Sequence, residues 1–278
     1  MRFLLSELTQ WTVQTSVVYL ISLAYLSLLL CMIAIERITP RARESSIESM
    51  KFNLTYTIVM LALVAALKPL AMVVSLALTA SLGAGWIHFP PSLLGWCGAF
   101  LALLFVTDLL EYWFHRAQHT FPLLWKMHEF YHSAEHFEVT LAYRHFWVEP
   151  LIKTAFLYPL PGVLLKCPQS GIFVVAGIWQ VFQYFAHMNV RFSPKAFGLL
   201  VTHPQYHRVH HSKAAFHYNK NLCALLPLWD ILFGTLHRPA PDEFVDVGLE
   251  ACPPPRSIWE AITGPFRPTR ARLRPTEA

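Results

Sequence analysis

From Thr15 to Ile35 the chain runs 21 residues without a charge. At about 1.5 Å per helical residue such a run crosses the ~30 Å hydrocarbon core of a bilayer. A backbone in lipid must also close its own hydrogen bonds, which a helix does. Three more apolar stretches follow. Asn53–Leu82 is broken only by Lys68-Pro69, Ser92–Thr107 is unbroken, and residues 154–190 are interrupted by Lys166, Pro168 and Gly171. The second is longer than one span needs, so it is expected to tilt, kink at the proline or form a hairpin. The third is expected to continue as helix through Asp108 to Phe114, and the fourth to be a hairpin or re-entrant pair. The fold class expected is all-α: polytopic membrane helices carrying a helical, histidine-rich metal domain on the cytoplasmic face.

Composition agrees. Charged residues are 14% of the chain, against about 25% in soluble domains, and the mean hydropathy is +0.40. Disorder and an ordinary soluble enzyme are excluded for most of the sequence. The net charge of +5 is too small to argue for nucleic acid. Its placement orients the spans instead. Arg37, Arg41, Arg43 and Lys51 follow the first span, whereas Gly83–Pro91 carries no Lys or Arg. By the positive-inside rule the first loop is cytoplasmic and the second is not. The third span then returns to the cytoplasm just before His115, provided the second stretch is not a hairpin. A bacterial inner membrane, or an internal membrane, is the expected location. The N-terminus shows no signal-peptide pattern. Five scattered cysteines give neither a disulfide framework nor a thiolate zinc site. Three regions are expected: N-terminal membrane helices (1–107), a histidine-rich domain (108–238), and a Pro/Arg-rich tail (239–278) lying loose at the lipid surface from Cys252 onward.

Histidine is the unusual residue. Twelve of the 14 fall between His115 and His217. Three clusters stand out: His115 with His119; His128 with His132 and His136; His203 with His207, His210 and His211. Spacings of three and four put side chains on one helical face, where neutral imidazoles can share iron, zinc or copper. Eight or more rings exceed what one tetrahedral zinc takes, so two metals are the economical reading. His128-Glu129-Phe-Tyr-His132 also matches HExxH, the zinc-hydrolase pattern with glutamate as general base. That alternative, a zinc-dependent intramembrane hydrolase, leaves the other clusters unexplained. A degenerate metal-binding protein without activity is the other.

The run Asp108…Tyr112-Trp-Phe-His115-Arg-Ala-Gln-His119, the run Leu124-Trp125-Lys-Met-His128…His132-Ser133, and His207-Arg-Val-His210-His211-Ser212 resemble the three histidine boxes of the fatty acid hydroxylase (sterol desaturase) superfamily. Leu228-Trp229-Asp230-Ile-Leu-Phe233-Gly234-Thr235 resembles the segment that closes the family domain, and His187 matches a further family histidine. Three departures are plain, one being Leu222-Cys223 after Asn221 where the family usually has Tyr-Gly. Tyr131 stands where the second box usually has histidine, which makes His136, His145 or His203 candidate substitutes. Arg144-His145-Phe-Trp-Val-Glu149 has its histidine displaced by one and lacks the usual proline.

The resemblance implies an integral-membrane di-iron oxygenase. Two non-heme irons would be held by His115, His119, His128, His132, His187, His207, His210 and His211, with O2 as co-substrate. Asp108 and Glu149 are the favoured carboxylates around the metals, ahead of Glu111, Glu129 and Glu135, and Asn221 joins them. Such an enzyme hydroxylates or desaturates a lipid, whose unpolarised C–H bond acid–base chemistry alone cannot open. No nucleotide-binding motif is visible in the chain, so an external donor of the ferredoxin or cytochrome type, with its reductase, is expected to supply electrons. Arg116, Arg208 and Lys213 are candidate contacts for it. The lipid is expected to enter a groove between the third and fourth apolar regions, near Trp113, Trp147, Trp179, Phe182 and Tyr184.

Overall fold

The structure is a computed structural model. It describes residues 23–38, 46–167, 169–192, 194–250 and 252–266. Residues 23–38 are helical (α1); the first eight residues of the expected first span lie outside the described residues. Among the described residues there is no β-strand, and the two isolated bridges join Ile87 to Leu165 and Ser212 to Val247.

Helix α2 (Ile47–Leu82) starts where the Ser46 hydroxyl accepts from Ser49 N at 3.2 Å and stops at Gly83, whose φ of 81° takes it out of the helix. It is one continuous helix through Pro69, not a hairpin. Its 36 residues reach roughly 54 Å at 1.5 Å each, well beyond the ~30 Å apolar core of a bilayer. Its sequence divides the work. Asn53, Tyr56, Thr57 and Met60 are buried against the histidine-bearing segments, while Leu61, Leu70, Met72, Val73 and Leu76 are exposed. An apolar surface of that extent belongs in lipid.

Helix α3 (Leu93–Thr120) is capped by Ser92, whose hydroxyl accepts from Gly95 N at 3.1 Å. It combines the third span and the first histidines in one rod. Both α2 and α3 are long and apolar enough to cross a membrane. Residues 153–186 run away from the histidines and return. The outward limb is α5 (Glu149–Ile152), a π-helical turn (Lys153–Leu157) and α6 (Pro159–Leu164); the return is α7 (Gln169–Ala186). At the far end the limb is tied to the α2–α3 connection, with Ile87 N donating to Leu164 O at 2.8 Å and Lys166 N to Ile87 O at 2.9 Å.

The remaining elements are short: α4 (Pro122–His132), α8 (Pro204–His210), α9 (Leu228–Phe233) and α10 (Ile258–Thr263). Tyr56, Met60, Met127, Phe130, Phe146 and Ala261 form the core beside the histidines. Arg144 is buried there. It donates to Ser133 Oγ at 3.0 Å and Phe130 O at 3.2 Å, which ties the last turn of α4 to the segment carrying His145. One expectation needs correcting. The start of the tail is not loose: α10 packs Ala261 into this core, and Trp147 Nε1 donates to Ile262 O at 3.1 Å. Ser257 caps that helix and its apolar residues recur at helical spacing, which composition alone hides behind the Pro/Arg content. Residues 267–278, with most of the arginines, lie outside the described residues.

Candidate metal centre

Helix α3 presents His115 and His119 one turn apart, on one face. The chain then reverses at once. Phe121 N donates to Ala117 O at 2.8 Å, closing α3, and Pro122 opens α4, where its missing N–H loses nothing. Helix α4 folds back on α3 and sets His128 and His132 opposite the first pair; α8 adds His210. One nitrogen from each of these five rings lies within 4.8 Å of the others. His115 Nε2 and His128 Nε2 are 3.0 Å apart. His187, just past α7, joins His207 and His211 in a second group under the same limit, with 3.1 Å between the Nε2 atoms of His187 and His207. The stacked rings of His132 and His211, 4.5 Å apart, join the two groups.

The protons on these rings can be argued from their outer contacts. A carbonyl oxygen only accepts, so the ring nitrogen facing it carries the hydrogen. His115 Nδ1 donates to Leu222 O at 2.6 Å, His187 Nδ1 to Gln183 O at 2.6 Å and His210 Nδ1 to Lys220 O at 2.9 Å. A neutral ring has one N–H, so each Nε2 directs a lone pair inward. Burial, reinforced by neighbouring rings, pushes the imidazoles of His132, His207 and His211 well below their ordinary range; burial takes His210 to about 3. They are neutral at pH 7. His132 Nε2, His210 Nε2 and both ring nitrogens of His211 have no hydrogen-bond partner among the described residues. Each unmet buried polar atom costs about 1–3 kcal/mol. Converging lone pairs are a donor set for cations, and nitrogen donors suit iron, zinc and copper. Each of the two histidine groups could therefore hold a metal ion.

Tyr131 occupies the gap in the second box. Its hydroxyl lies 2.7 Å from His207 Nε2 and also contacts His187 Nε2. His145 stacks on the Tyr131 ring, 4.6 Å away and 19° from parallel, rather than joining either main group. Glu149 is buried beside His128 and His145, at 3.8 and 3.4 Å, and accepts from Gln118 Nε2 at 2.7 Å. Burial alone would raise its carboxyl; the two facing rings outweigh that and hold it well below the usual carboxylate range.

Other expected residues go elsewhere. Asp108 accepts from Leu225 N at 3.2 Å, Leu226 N at 3.0 Å and Trp229 Nε1 at 2.9 Å, so it anchors the loop before α9 instead of meeting a histidine. Asn221 is a turn residue with φ of 56°; its side chain donates to Tyr206 O at 3.1 Å and accepts from His237 N at 2.7 Å. His203 caps α8 by accepting from Tyr206 N at 3.4 Å, and His136 is half-buried and belongs to no ligand group among the described residues. Glu135 is exposed, and Glu129 enters no carboxylate–histidine group among the described residues. Asp230 accepts from Leu222 N at 2.9 Å and Cys223 N at 2.8 Å, fixing the backbone that holds His115.

Sequence reading missed Gln118 and the cavity lining. A cavity of about 1090 Å³ runs beside the histidines between α2, α3 and the 149–186 hairpin. His145 and Glu149 line one end; Gly85, His88 and Lys166 line the other. Between them, Lys153 Nζ meets Glu111 Oε2 at 2.7 Å, the pair largely buried. Of the five aromatics expected at a groove, Trp179 lines this one.

The sequence comparisons agree with this geometry. The family model for fatty acid hydroxylase matches residues 100–235, the stretch that holds both histidine groups. Residues 100–235 belong to the fatty acid hydroxylase family. Human alkylglycerol monooxygenase is 31% identical over 154 residues, 55% of this chain and 33% of that protein. Ornithine lipid hydroxylase of Rhizobium tropici is 30% identical over 164 residues, 58% of this chain and 49% of the relative. Rat lathosterol oxidase is 24% identical over 158 residues, 56% and 48% of the two. The chain spans less than half the length of each of these relatives. No solved structure matches it.

Proposed function

We propose that this fatty acid hydroxylase-family chain is an O2-dependent lipid oxygenase that uses two non-heme irons. The observation that carries the reading is the pair of inward-facing lone-pair sets, His115 with His128 and His187 with His207, beside a large cavity. His115, His119, His128, His132 and His210 would hold one iron; His187, His207 and His211, with Tyr131 beside them, the other. When bound, the irons and O2 supply the oxidation that breaks an unpolarised C–H bond.

The chain's own residues do the rest. Carbonyl oxygens of Leu222, Gln183 and Lys220 fix the ring tautomers, and the Glu149 carboxylate puts its charge 3.8 Å from His128 Nδ1. The apolar walls from α2, α3 and α7 take the lipid chain and exclude water, while the Lys153–Glu111 pair offers donors and an acceptor to a polar group of the lipid. Electrons come from an external ferredoxin or cytochrome-type donor, and the histidine end of the molecule faces the cytoplasm. The names of the three relatives support a lipid substrate.

The test is metal content and O2 consumption of gently solubilised protein grown on enriched iron, followed by Mössbauer spectroscopy. About two irons per chain that reoxidise together, with an oxygenated or desaturated lipid found by mass spectrometry, is the expected result. One zinc per chain with no O2 uptake overturns it.

A further inference from the structure

Three ligand-type side chains converge outside both histidine groups. His217 closes the 3-10 turn Ala215–His217 and is buried, with 1% of its side chain exposed; His237 and Glu243 are 28% and 20% exposed. His217 Nε2 lies 2.9 Å from Glu243 Oε1, and His237 Nε2 lies 3.0 Å from the same oxygen. The ring centroids are 4.5 Å apart, and the three ligand atoms fall within 4.8 Å of one another. No helical repeat brings these residues together, since they come from three separate segments.

Their outer atoms are already engaged. His217 Nδ1 pairs with Ser212 Oγ at 2.9 Å, and Glu243 Oε2 accepts from Ala240 N at 2.9 Å. His217 Nε2 and His237 Nε2 both face the Glu243 carboxylate, the latter 3.0 and 3.1 Å from its two oxygens, as happens when neighbouring contacts orient metal ligands. Two atoms each about 2.0–2.1 Å from a tetrahedral zinc stand roughly 3.3 Å apart. The two nitrogen–oxygen separations, 2.9 and 3.0 Å, are within a few tenths of an ångström of that. Two imidazoles and a carboxylate with one side open to water are a zinc-type donor set.

We propose that His217, His237 and Glu243 bind one further divalent cation of the zinc class, distinct from the two metals of the main centre. Its place in the fold gives it a role. Residues 240–248 lie across α8: Arg208 Nε donates to Val245 O at 2.7 Å, Lys213 N to Asp246 O at 3.0 Å and Gly248 N to His211 O at 3.1 Å. The cation would staple this strap to the segment that follows His210 and His211, through His217 and its partner Ser212. It lines no part of the lipid cavity, and its existence does not depend on the oxygenase reading.

The experiment is elemental analysis of the full chain after equilibration with zinc and desalting, for wild type, His237→Ala, Glu243→Gln and His237→Cys. The wild type is expected to carry one equivalent more than His237→Ala or Glu243→Gln. His237→Cys, whose thiolate can ligate zinc, is expected to restore that equivalent. Equal metal content in wild type, His237→Ala and Glu243→Gln overturns the proposal and leaves a hydrogen-bonded triad. Should His237→Ala lose every metal by misfolding, His237→Cys decides: recovery of the full wild-type content supports the site, and failure to recover the extra equivalent overturns it.

Discussion

The hydroxyl of Tyr131 stands between the Nε2 atoms of His187 and His207, 2.7 Å from the latter. It brings one oxygen and one hydrogen to a place where two lone pairs already meet. Tyr131→Phe is expected to weaken the metal held by His187, His207 and His211 by about ten- to hundred-fold, the usual cost of losing a supporting contact, and to spare the five-ring group. Tyr131→His should recover it. Metal titration of chelated protein reads both; unchanged affinity in the phenylalanine variant would show that the phenol only fills space.

Glu149 receives Gln118 Nε2 at 2.7 Å while facing His128 and His145. Glu149→Gln keeps the shape and removes the charge. Turnover is expected to fall about ten- to hundred-fold, with Gln118→Ala milder. Product formation per chain at fixed metal content is the measurement, and full activity in Glu149→Gln would refute a role for its charge.

Lys153 and Glu111 form a largely buried pair in the wall of the cavity. Removing one partner strands the other, which costs about 3–5 kcal/mol. Lys153→Met should therefore destabilise strongly, and Lys153→Met combined with Glu111→Gln should recover most of the loss. Denaturant unfolding in detergent micelles compares them.

Acidification tests the neutral rings. His210 has its folded value lowered to about 3, whereas an unfolded histidine titrates near 6.5. Between those values the unfolded chain binds more protons, so stability falls as pH drops. Each ring kept neutral costs about 1.4 kcal/mol per pH unit across that window. Chelated protein should melt lower at pH 5 than at pH 7, and metal-loaded protein should release its metal over the same range. A flat melting profile would contradict the buried neutral state.

Asp108 gathers two backbone N–H groups and the Trp229 indole. Asp108→Asn places an amide against those donors. It is expected to lose about 1–3 kcal/mol, the cost of leaving a buried donor unmet, while metal content per folded chain stays unchanged. Loss of metal without loss of stability would return Asp108 to the centre.

The helical part of the site was legible because i,i+4 spacing has a local geometric meaning: His115 with His119, and His128 with His132, needed only a helix. The break at Tyr131 was visible too, as a departure from the family's second box. What covered the break was not. His145 and His203 looked like substitutes, yet one stacks on Tyr131 and the other caps α8. Asp108 was placed near metal by its match to the family's first box; its partners lie more than a hundred residues away, and no local pattern announces them. His217, His237 and Glu243 have no shared periodicity at all. Burial, not motif, brings them together.

Three rings of the main centre take their orientation from main-chain oxygens, at Gln183, Lys220 and Leu222. A peptide carbonyl is present whatever side chain it carries. Gln183 and Lys220 are thus free to vary in kind without turning His187 or His210, so long as the local backbone keeps its path. The aiming of the rings is written in chain trajectory, a layer of information that substitutions at those two positions leave untouched and that insertions or prolines nearby would erase.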